Sequence, residues 1–385
     1  MTTLRLNSLF KTAVKVLLHT PVPFDAFDMP GRGQEMYLSL RRLPEGRYGY
    51  LYAKLLQSAG YKITMDLSTG LSLRRYGLSA LTVPGLSIKA WPISGKADCV
   101  HVTDASDEVG KCPWKNEISI DYNWFSARPG DVVAPYPMHP NVYVQGWDTR
   151  LDELRDTPRR VGMLFSGNTD PNAYSTGPVR DLFGLLTRSE IIRAVLDGIS
   201  EDQLFIAPPP VPTVEGKNRL LSTLGAETLE QKVVLPRDWR IPGDEWMPSL
   251  STSAFFLAPP GVEMPLSHNI VEALACGVVP ITNYGHLLKP ALTNAEALQF
   301  STAAELLARI DEALTMTADR RAAMSRAAAA YYDNHLSPRG FGEHLEASLS
   351  EQSRHRLFVN VEHYTVDAFR ESSRAEPRTH SLPLL

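Results

Sequence analysis

Short runs of apolar residues alternate along the chain with longer stretches whose apolar positions recur every three or four residues. This alternation predicts β-strands followed by amphipathic helices, as in parallel sheets covered by helices. In the first half it predicts a helix over 48–59 and strands at 14–19, 61–67, 99–103 and 117–121. In the second half it predicts helices over 188–196, 267–276 and 303–332 and strands at 160–165, 204–207, 232–235, 253–258 and 278–282. We therefore expect an α/β fold with two βα domains in tandem.

The two halves meet in a region that breaks regular structure. Residues 131–140 are rich in proline, and residues 148–158 are polar and charged. We place the domain boundary there, which predicts an N-terminal domain over 1–150 and a C-terminal domain over 151–350. A polar extension over 351–385 follows, with one strand predicted near 357–363 and mobile last residues.

Composition narrows the range of functions. The 385 residues include 39 basic and 43 acidic side chains, a net charge of −4, which disfavours a nucleic-acid-binding protein. The three cysteines form no C-x-x-C pair, so neither a disulfide framework nor a zinc knuckle is expected, and a reducing compartment fits. The longest apolar stretches are far below the ~18 residues that span a membrane. We expect a cytoplasmic protein without a transmembrane segment, for which peripheral membrane contact is left open.

Several short motifs are missing from the sequence. There is no P-loop, no G-x-G-x-x-G, no G-x-S-x-G and no H-E-x-x-H, which argues against nucleotidase, dinucleotide-dependent, serine-hydrolase and zinc-protease chemistry. There is also no Asp-x-Asp pair to hold a divalent ion against a sugar-nucleotide diphosphate. We expect no bound metal and no cofactor.

The most informative segment is the helix predicted over 267–276. Ser267 is placed to be its N-cap and Gly277 to end it. Its first turn offers backbone N–H groups and positive dipole potential, which suit a phosphate. Glu272 lies about 6 Å further along the axis, on the same side as His268 and Asn269. A carboxylate there is suited to the hydroxyls of a ribose, so the pattern indicates a nucleoside diphosphate. The alternative is an amphipathic helix whose polar side meets only water.

This segment resembles a known family. From Pro259-Pro-Gly through the Glu-Ala-Leu-x-x-Gly core to Ile281, it is similar to the donor-binding signature of GT-B glycosyltransferases, most closely the exostosin-like branch. The strand end from Gly162 to Asn168 and the later Arg188 also resemble that branch. The similarity covers roughly residues 160–295.

The resemblance implies two Rossmann-like domains facing a cleft, with the acceptor on the first and the donor on the second. It implies transfer of a sugar from a nucleotide-sugar, used as a co-substrate, to a glycan or lipid-linked acceptor, as in polysaccharide biosynthesis. The residues expected at the donor are Gly167, Asn168, Arg188, Ser267, His268, Asn269 and Glu272.

The sequence departs from the family pattern at two places. Many retaining members carry two glutamates, but Glu263 and Glu272 are one residue further apart than those, and Met264 stands at the matching position. This departure favours inversion of configuration. His268 stands where the exostosin-like branch commonly has arginine, so a smaller and conditionally charged group is expected at the phosphate.

An inverting transfer needs a base and a cation beside the leaving group. For the base we rank Asp28 and Asp25 first and His19 next, because strand-end loops of the first domain face the cleft in this fold. Each has a structural alternative, as a turn cap or a hydrogen-bonded histidine. Arg188 and Arg180 are the candidate cations.

Two other functions are compatible with the same sequence. One is a sugar-nucleotide epimerase of the same architecture. The other is a GT-B module without catalytic activity that binds glycans or protein partners.

Overall fold

The computed structural model describes residues 34–42, 46–66, 87–89, 98–105, 107, 109–168, 170, 174, 177–207, 229–236 and 239–375. The strands are β1 (Glu35–Ser39), β2 (Lys62–Asp66), β3 (Ser87–Lys89), β4 (Cys99–Thr103), β5 (Asn116–Asp121), β6 (Val132–Val133), β7 (Val161–Leu164), β8 (Leu204–Ala207), β9 (Leu229–Pro236), β10 (Ser253–Leu257), β11 (Val279–Thr282), β12 (Leu298–Gln299) and β13 (Arg354–Phe358). The α-helices are α1 (Gly46–Ser58), α2 (Pro140–Val144), α3 (Leu151–Arg155), α4 (Pro178–Asp181), α5 (Arg188–Gly198), α6 (Gly243–Ser251), α7 (His268–Ala275), α8 (Ala303–Thr315), α9 (Ala318–Tyr331), α10 (Pro338–Glu351) and α11 (Glu362–Ala375).

The chain divides into two compact units. The first contains the residues up to Asp121 together with Phe341–Leu357, and the second contains Tyr122–Gly340 together with the residues from Phe358 onward. The first unit is therefore completed by a segment that returns to it late in the sequence. The boundary predicted near residue 150 lies inside the second unit.

In the first unit, neighbouring strands of one sheet follow the order β3-β2-β1-β4-β5-β13. The pairs β2–β3, β1–β2, β1–β4 and β4–β5 are all parallel. Met36 and Leu38 are buried on one face of the sheet, and Tyr37 and Thr64 are buried on the other, as expected when both faces are covered.

The second unit holds a sheet of six strands in the order β12-β11-β10-β7-β9-β8, and all five strand pairs are parallel. Every residue of β7, β10 and β11 is buried. The apolar side of α7, with Ile270, Val271 and Leu274, belongs to the same core cluster as Phe256 of β10. Because parallel strands end at one edge, the loops after β7, β9 and β10 lie together there.

The C-terminal end of α7 is closed by hydrogen bonds. Gly277 has φ 66°, a left-handed conformation that favours glycine, and the amide of Val278 donates to the carbonyl of Ala273. Arg155 donates to the carbonyl of Ala275 at 2.9 Å, and Arg159 donates to that of Cys276 at 2.7 Å. Cationic groups at this end complement the helix dipole.

The predicted α/β class and the strongly patterned elements of both halves are confirmed. The strand predicted at 14–19 lies outside the described residues. Strands β1, β3, β6 and β12 and helices α2, α3, α4, α6 and α10 were not predicted, and the extension contains a long helix, α11, beside its strand.

Candidate functional site

The loop after β7 brings a glycine to the carboxyl edge of the second sheet. A Cβ atom added to Gly167 would lie 3.3 Å from a ring carbon of Phe165 and 3.5 Å from a guanidinium nitrogen of Arg188. The side chain of Asn168 accepts a hydrogen bond from the amide of Asp170 at 3.0 Å. A residue without a side chain at Gly167 therefore lets Arg188 approach the loop closely.

Arg188 is the first residue of α5 and is held by backbone carbonyls. Its Nε donates to the carbonyl of Pro260 at 3.2 Å, and a terminal nitrogen donates to the carbonyl of Asn168 at 3.4 Å. The guanidinium carbon lies 4.0 Å from the centre of the Tyr174 ring, within cation–π distance. These contacts join the loops after β7 and β10 through one cation.

No carboxylate pairs with Arg188 among the residues that the structure describes. Burial lowers its pKa, and the positive charge of Arg240 lowers it further. The group stays protonated even so, because arginine does not lose its proton in proteins. Arg188 and Arg240 together form an electropositive corner that suits an anion. Arg180, the other candidate, forms an ion pair with Glu190 instead.

The N-terminal end of α7 lies at the same edge. Ser267 occupies the N-cap position, as predicted, but its side chain makes no capping hydrogen bond. Its hydroxyl instead lies 3.1 Å from the hydroxyl of Tyr284, whose pKa burial raises to about 12. Asn269 donates to the carbonyl of Ser166 at 3.5 Å, a weak contact with the loop after β7. The first turn of the helix is thus not capped by its own serine.

The rest of the polar side of α7 is covered by the loop before α2. The Nδ1 atom of His268 lies 2.7 Å from the carbonyl oxygen of Pro137, and the His268 ring stacks on Tyr136 at 5.1 Å. The His139 ring meets the His268 ring edge-on at 5.5 Å. His268 is therefore engaged with protein groups of this loop.

Glu272 is fully buried. One carboxylate oxygen accepts a hydrogen bond from the backbone amide of His139 at 2.8 Å, and the other accepts one from the indole N–H of Trp246 at 2.6 Å. The predicted exposure of the polar side of this helix is therefore wrong at Glu272, because protein donors occupy the place expected for ribose hydroxyls. Its carboxylate links α7 to α6 and to the loop before α2.

The burial of Glu272 makes the free energy of unfolding depend on pH. It raises the pKa from 4.5 to about 7, against the lowering effect of the two hydrogen bonds. The folded protein then holds the proton more tightly than the unfolded chain does, so the free energy of unfolding falls as the pH rises between those values. The contribution of Glu272 to stability is fully present below its unfolded pKa and is lost as the pH rises through the folded one.

We expect Glu272→Gln to remove this slope, because an amide does not titrate. Urea unfolding of both proteins between about pH 5 and about pH 8 should show the wild type losing on the order of 3 kcal/mol relative to the variant. Parallel curves for the two proteins would contradict the expectation.

A cavity of about 570 Å³ opens beside the Arg188 corner, within the second unit. Gly167 and Asn168 line one end of it, α5 forms one wall, and β8, β9 and the residues after β9 form the other. Its volume is within the range of small-molecule sites. Trp239 and Arg240 both line it.

The structure brings together some of the residues that the sequence predicts at the donor. Gly167, Asn168, Arg188, Ser267 and Asn269 gather at one edge of the sheet, whereas Tyr174, Tyr284 and the α5 wall were not predicted. The α5 wall did carry a signal, since charged residues interrupt the apolar positions of one helix face. The proposed bases Asp28, Asp25 and His19 lie outside the described residues.

One acidic group of the first unit has a structural role. The two carboxylate oxygens of Asp104 accept the backbone amides of Arg41 at 2.6 Å and Arg42 at 2.7 Å. Asp104 thus fixes the turn that follows β1.

Within the described part of the chain, no helix is long and apolar enough to cross a membrane. In the same residues, no cluster of three acidic, histidine or cysteine side chains is arranged to hold a metal.

Comparison with known proteins gives similarity in structure alone. No protein-family profile matches the sequence, and no curated protein matches it either. Among solved structures, the chain is similar to Alr3699/HepE of Anabaena in complex with UDP, with 10% identity over 83% of this chain and 100% of that one, at a TM-score of 0.43. It is similar to a glycosyltransferase from Rickettsia africae, with 10% identity over 83% of this chain and 98% of that one, at a TM-score of 0.42. It is also similar to a sucrose-phosphate synthase from Thermosynechococcus elongatus, with 11% identity over 83% of this chain and 98% of that one, at a TM-score of 0.41. Values this low transfer neither a substrate nor an activity to this chain.

Proposed function

We propose that this protein is a GT-B glycosyltransferase that moves a sugar from a nucleotide-sugar donor to a glycan or lipid-linked acceptor. The observation that carries the proposal is Arg188, a cation with no carboxylate partner in the described chain, at the carboxyl edge of a parallel sheet. Ligands of open α/β sheets bind at this edge.

The donor's diphosphate is placed at the Arg188 corner. Two carbonyls hold Arg188 in position, and a guanidinium has five N–H donors, so donors remain for phosphate oxygens. The start of α7, which Ser267 does not cap, adds backbone N–H groups and positive dipole potential. The cavity along α5 then receives the nucleoside.

The transfer follows from this arrangement. The acceptor hydroxyl loses its proton to a base and attacks the anomeric carbon, and the bond from that carbon to the phosphate oxygen breaks. The electron pair of the broken bond passes to the diphosphate, where Arg188 and the α7 dipole offset the developing charge. We propose Asp28 or Asp25 as the base, with His19 as the next candidate.

We also propose that the transfer inverts the anomeric configuration and needs no metal. Inversion is supported by Met264 at the position where many retaining relatives carry a glutamate. Metal independence is supported by the cations at the edge, since Arg188 and Arg240 provide positive charge of the kind that a divalent ion provides in other transferases.

We expect one nucleotide to bind clearly below millimolar concentration when GDP, UDP, ADP and CMP are titrated into the protein by calorimetry. The physical reason is the unpaired positive charge beside a cavity of suitable size. If none of the four binds, the donor site does not exist and the proposed function fails.

A screen of nucleotide-sugars then separates the enzymatic alternatives. A glycosyltransferase hydrolyses its donor slowly without acceptor and transfers the sugar when a glycan or lipid-linked acceptor is added, with or without EDTA. Interconversion of the donor sugar in the absence of acceptor would identify an epimerase instead. Binding with neither reaction would identify a module without catalytic activity.

A further inference from the structure

One face of α5 lines the cavity along almost the whole helix. The lining residues are spaced by three or four positions, as neighbours on one helix side are: Ser189, Ile192, Arg193, Leu196 and Asp197. The helix rises about 13 Å from Arg188 to Asp197. A ligand with a phosphate at Arg188 therefore has room for a ribose before its other end reaches Arg193 and Asp197.

The facing wall is apolar. It consists of Ile206, Leu235, Pro236 and Trp239, followed by Arg240. Leu196 and Ile206 are each 38% exposed, and they are two of the four large hydrophobic side chains that the described chain exposes most. The indole N–H of Trp239 donates to the carbonyl of Ala207 at 3.0 Å, which fixes the ring beside the cavity. Exposed apolar surface inside a cavity suits a flat, partly apolar group such as a nucleobase.

Two opposite charges stand at the far end of the α5 face. Arg193 and Asp197 are one helical turn apart, both are exposed, and both line the cavity. Neither forms an ion pair with the other or with another described residue. Arg193 therefore offers only donors and Asp197 only acceptors, side by side, to whatever fills this end.

Guanine matches this pair at both positions. Its O6 and N7 atoms accept hydrogen bonds, as arginine requires, and its neighbouring N1–H and N2–H₂ groups donate to a carboxylate. Uracil has a single N–H between two carbonyl oxygens, so a carboxylate bound to that N–H lies against an oxygen. Adenine has one donor group on this edge in place of guanine's two.

We infer that the cavity along α5 is a guanine-nucleotide site, with Arg193 and Asp197 as the residues that select the base. This inference rests on the proposed function, since it names the nucleotide of the same donor. A GDP-sugar is then the donor class.

Calorimetric titration of GDP, UDP and ADP tests the inference. We expect GDP to bind about tenfold more tightly than UDP or ADP, because one well-matched pair of hydrogen bonds is worth about that factor. Asp197→Asn should remove this advantage. It should at the same time favour xanthosine diphosphate, whose C2 carbonyl accepts from the new amide where guanine carries an amine.

Asp311→Asn is the matched control, because Asp311 is also an exposed helical aspartate and does not line the cavity. It should bind GDP as the wild type does. Tightest binding of UDP or ADP, or a GDP affinity that Asp197→Asn leaves unchanged, would overturn the guanine assignment while the proposed function stands. Failure of all nucleotides to bind would overturn both.

Discussion

Replacing Arg188 with methionine is expected to lower the affinity for the preferred nucleoside diphosphate about 100-fold. The side chain holds a positive charge where the donor's phosphates are placed, and a hydrogen bond to a charged group contributes about 1.5–3 kcal/mol. The variant keeps most of the side-chain volume but removes the charge. Isothermal titration calorimetry of the purified variant against the wild type measures the loss.

Stability separates a binding role from a structural one at this position. Arg188→Met loses hydrogen bonds to two carbonyls, but it also removes a half-buried charge that lacks a carboxylate partner, so the melting temperature should stay within about 5 °C. Arg180→Ala is the matched control, since Arg180 pairs with Glu190 at the surface and with no other acid among the described residues, and it should bind as the wild type does. Undiminished affinity of Arg188→Met would remove the central support of the proposed function.

Glu272→Ala is expected to destabilise the protein by about 3–5 kcal/mol. The substitution leaves the amide of His139 and the indole N–H of Trp246 buried without their acceptor, at about 1–3 kcal/mol each, and it opens a cavity beside α7. A loss of this size lowers the melting temperature by about 10 °C or more in a unit of this length. Urea unfolding and thermal melts at a pH near neutrality measure the effect.

Glu263→Ala provides the control from the same region. Glu263 is exposed, so its removal should change the free energy of unfolding by no more than about 0.5 kcal/mol. If Glu272→Ala were as stable as Glu263→Ala but no longer bound the nucleotide, then Glu272 would be a ligand contact, as its position on the helix first indicated.

Elements with a strong local pattern were predicted well, and the exceptions have physical reasons. Strand β1 is a five-residue run between a proline- and glycine-rich segment and charged residues, too short for its periodicity to distinguish it. The helix α11 is mostly polar, and tertiary contacts anchor it, since its Phe369 stacks on Phe183 at 5.3 Å and packs against Phe125 at 4.9 Å. Local propensity carries no information about such contacts.

The cavity was harder to predict than the cation beside it. Arg188 follows directly from the helix that begins after a strand-end loop, so its place at the sheet edge could be inferred in advance. Trp239 and Arg240 lie more than forty residues further along the chain and reach the same cavity only because β9 pairs with β7. Strand order therefore decides which loops share one site.

The sequence by itself determined the α/β class, most strands, the helices α1, α5, α7, α8 and α9, the two ends of α7 and the glycine and arginine of the sheet edge. Each of these depends on the periodicity and the turn-forming residues of a short segment, so neighbouring positions in the sequence are enough to predict it. Only the tertiary structure decided what covers the polar side of α7. Glu272 and His139 are separated by 133 positions, and helical periodicity states which residues share a face but not which distant donors will be packed against it.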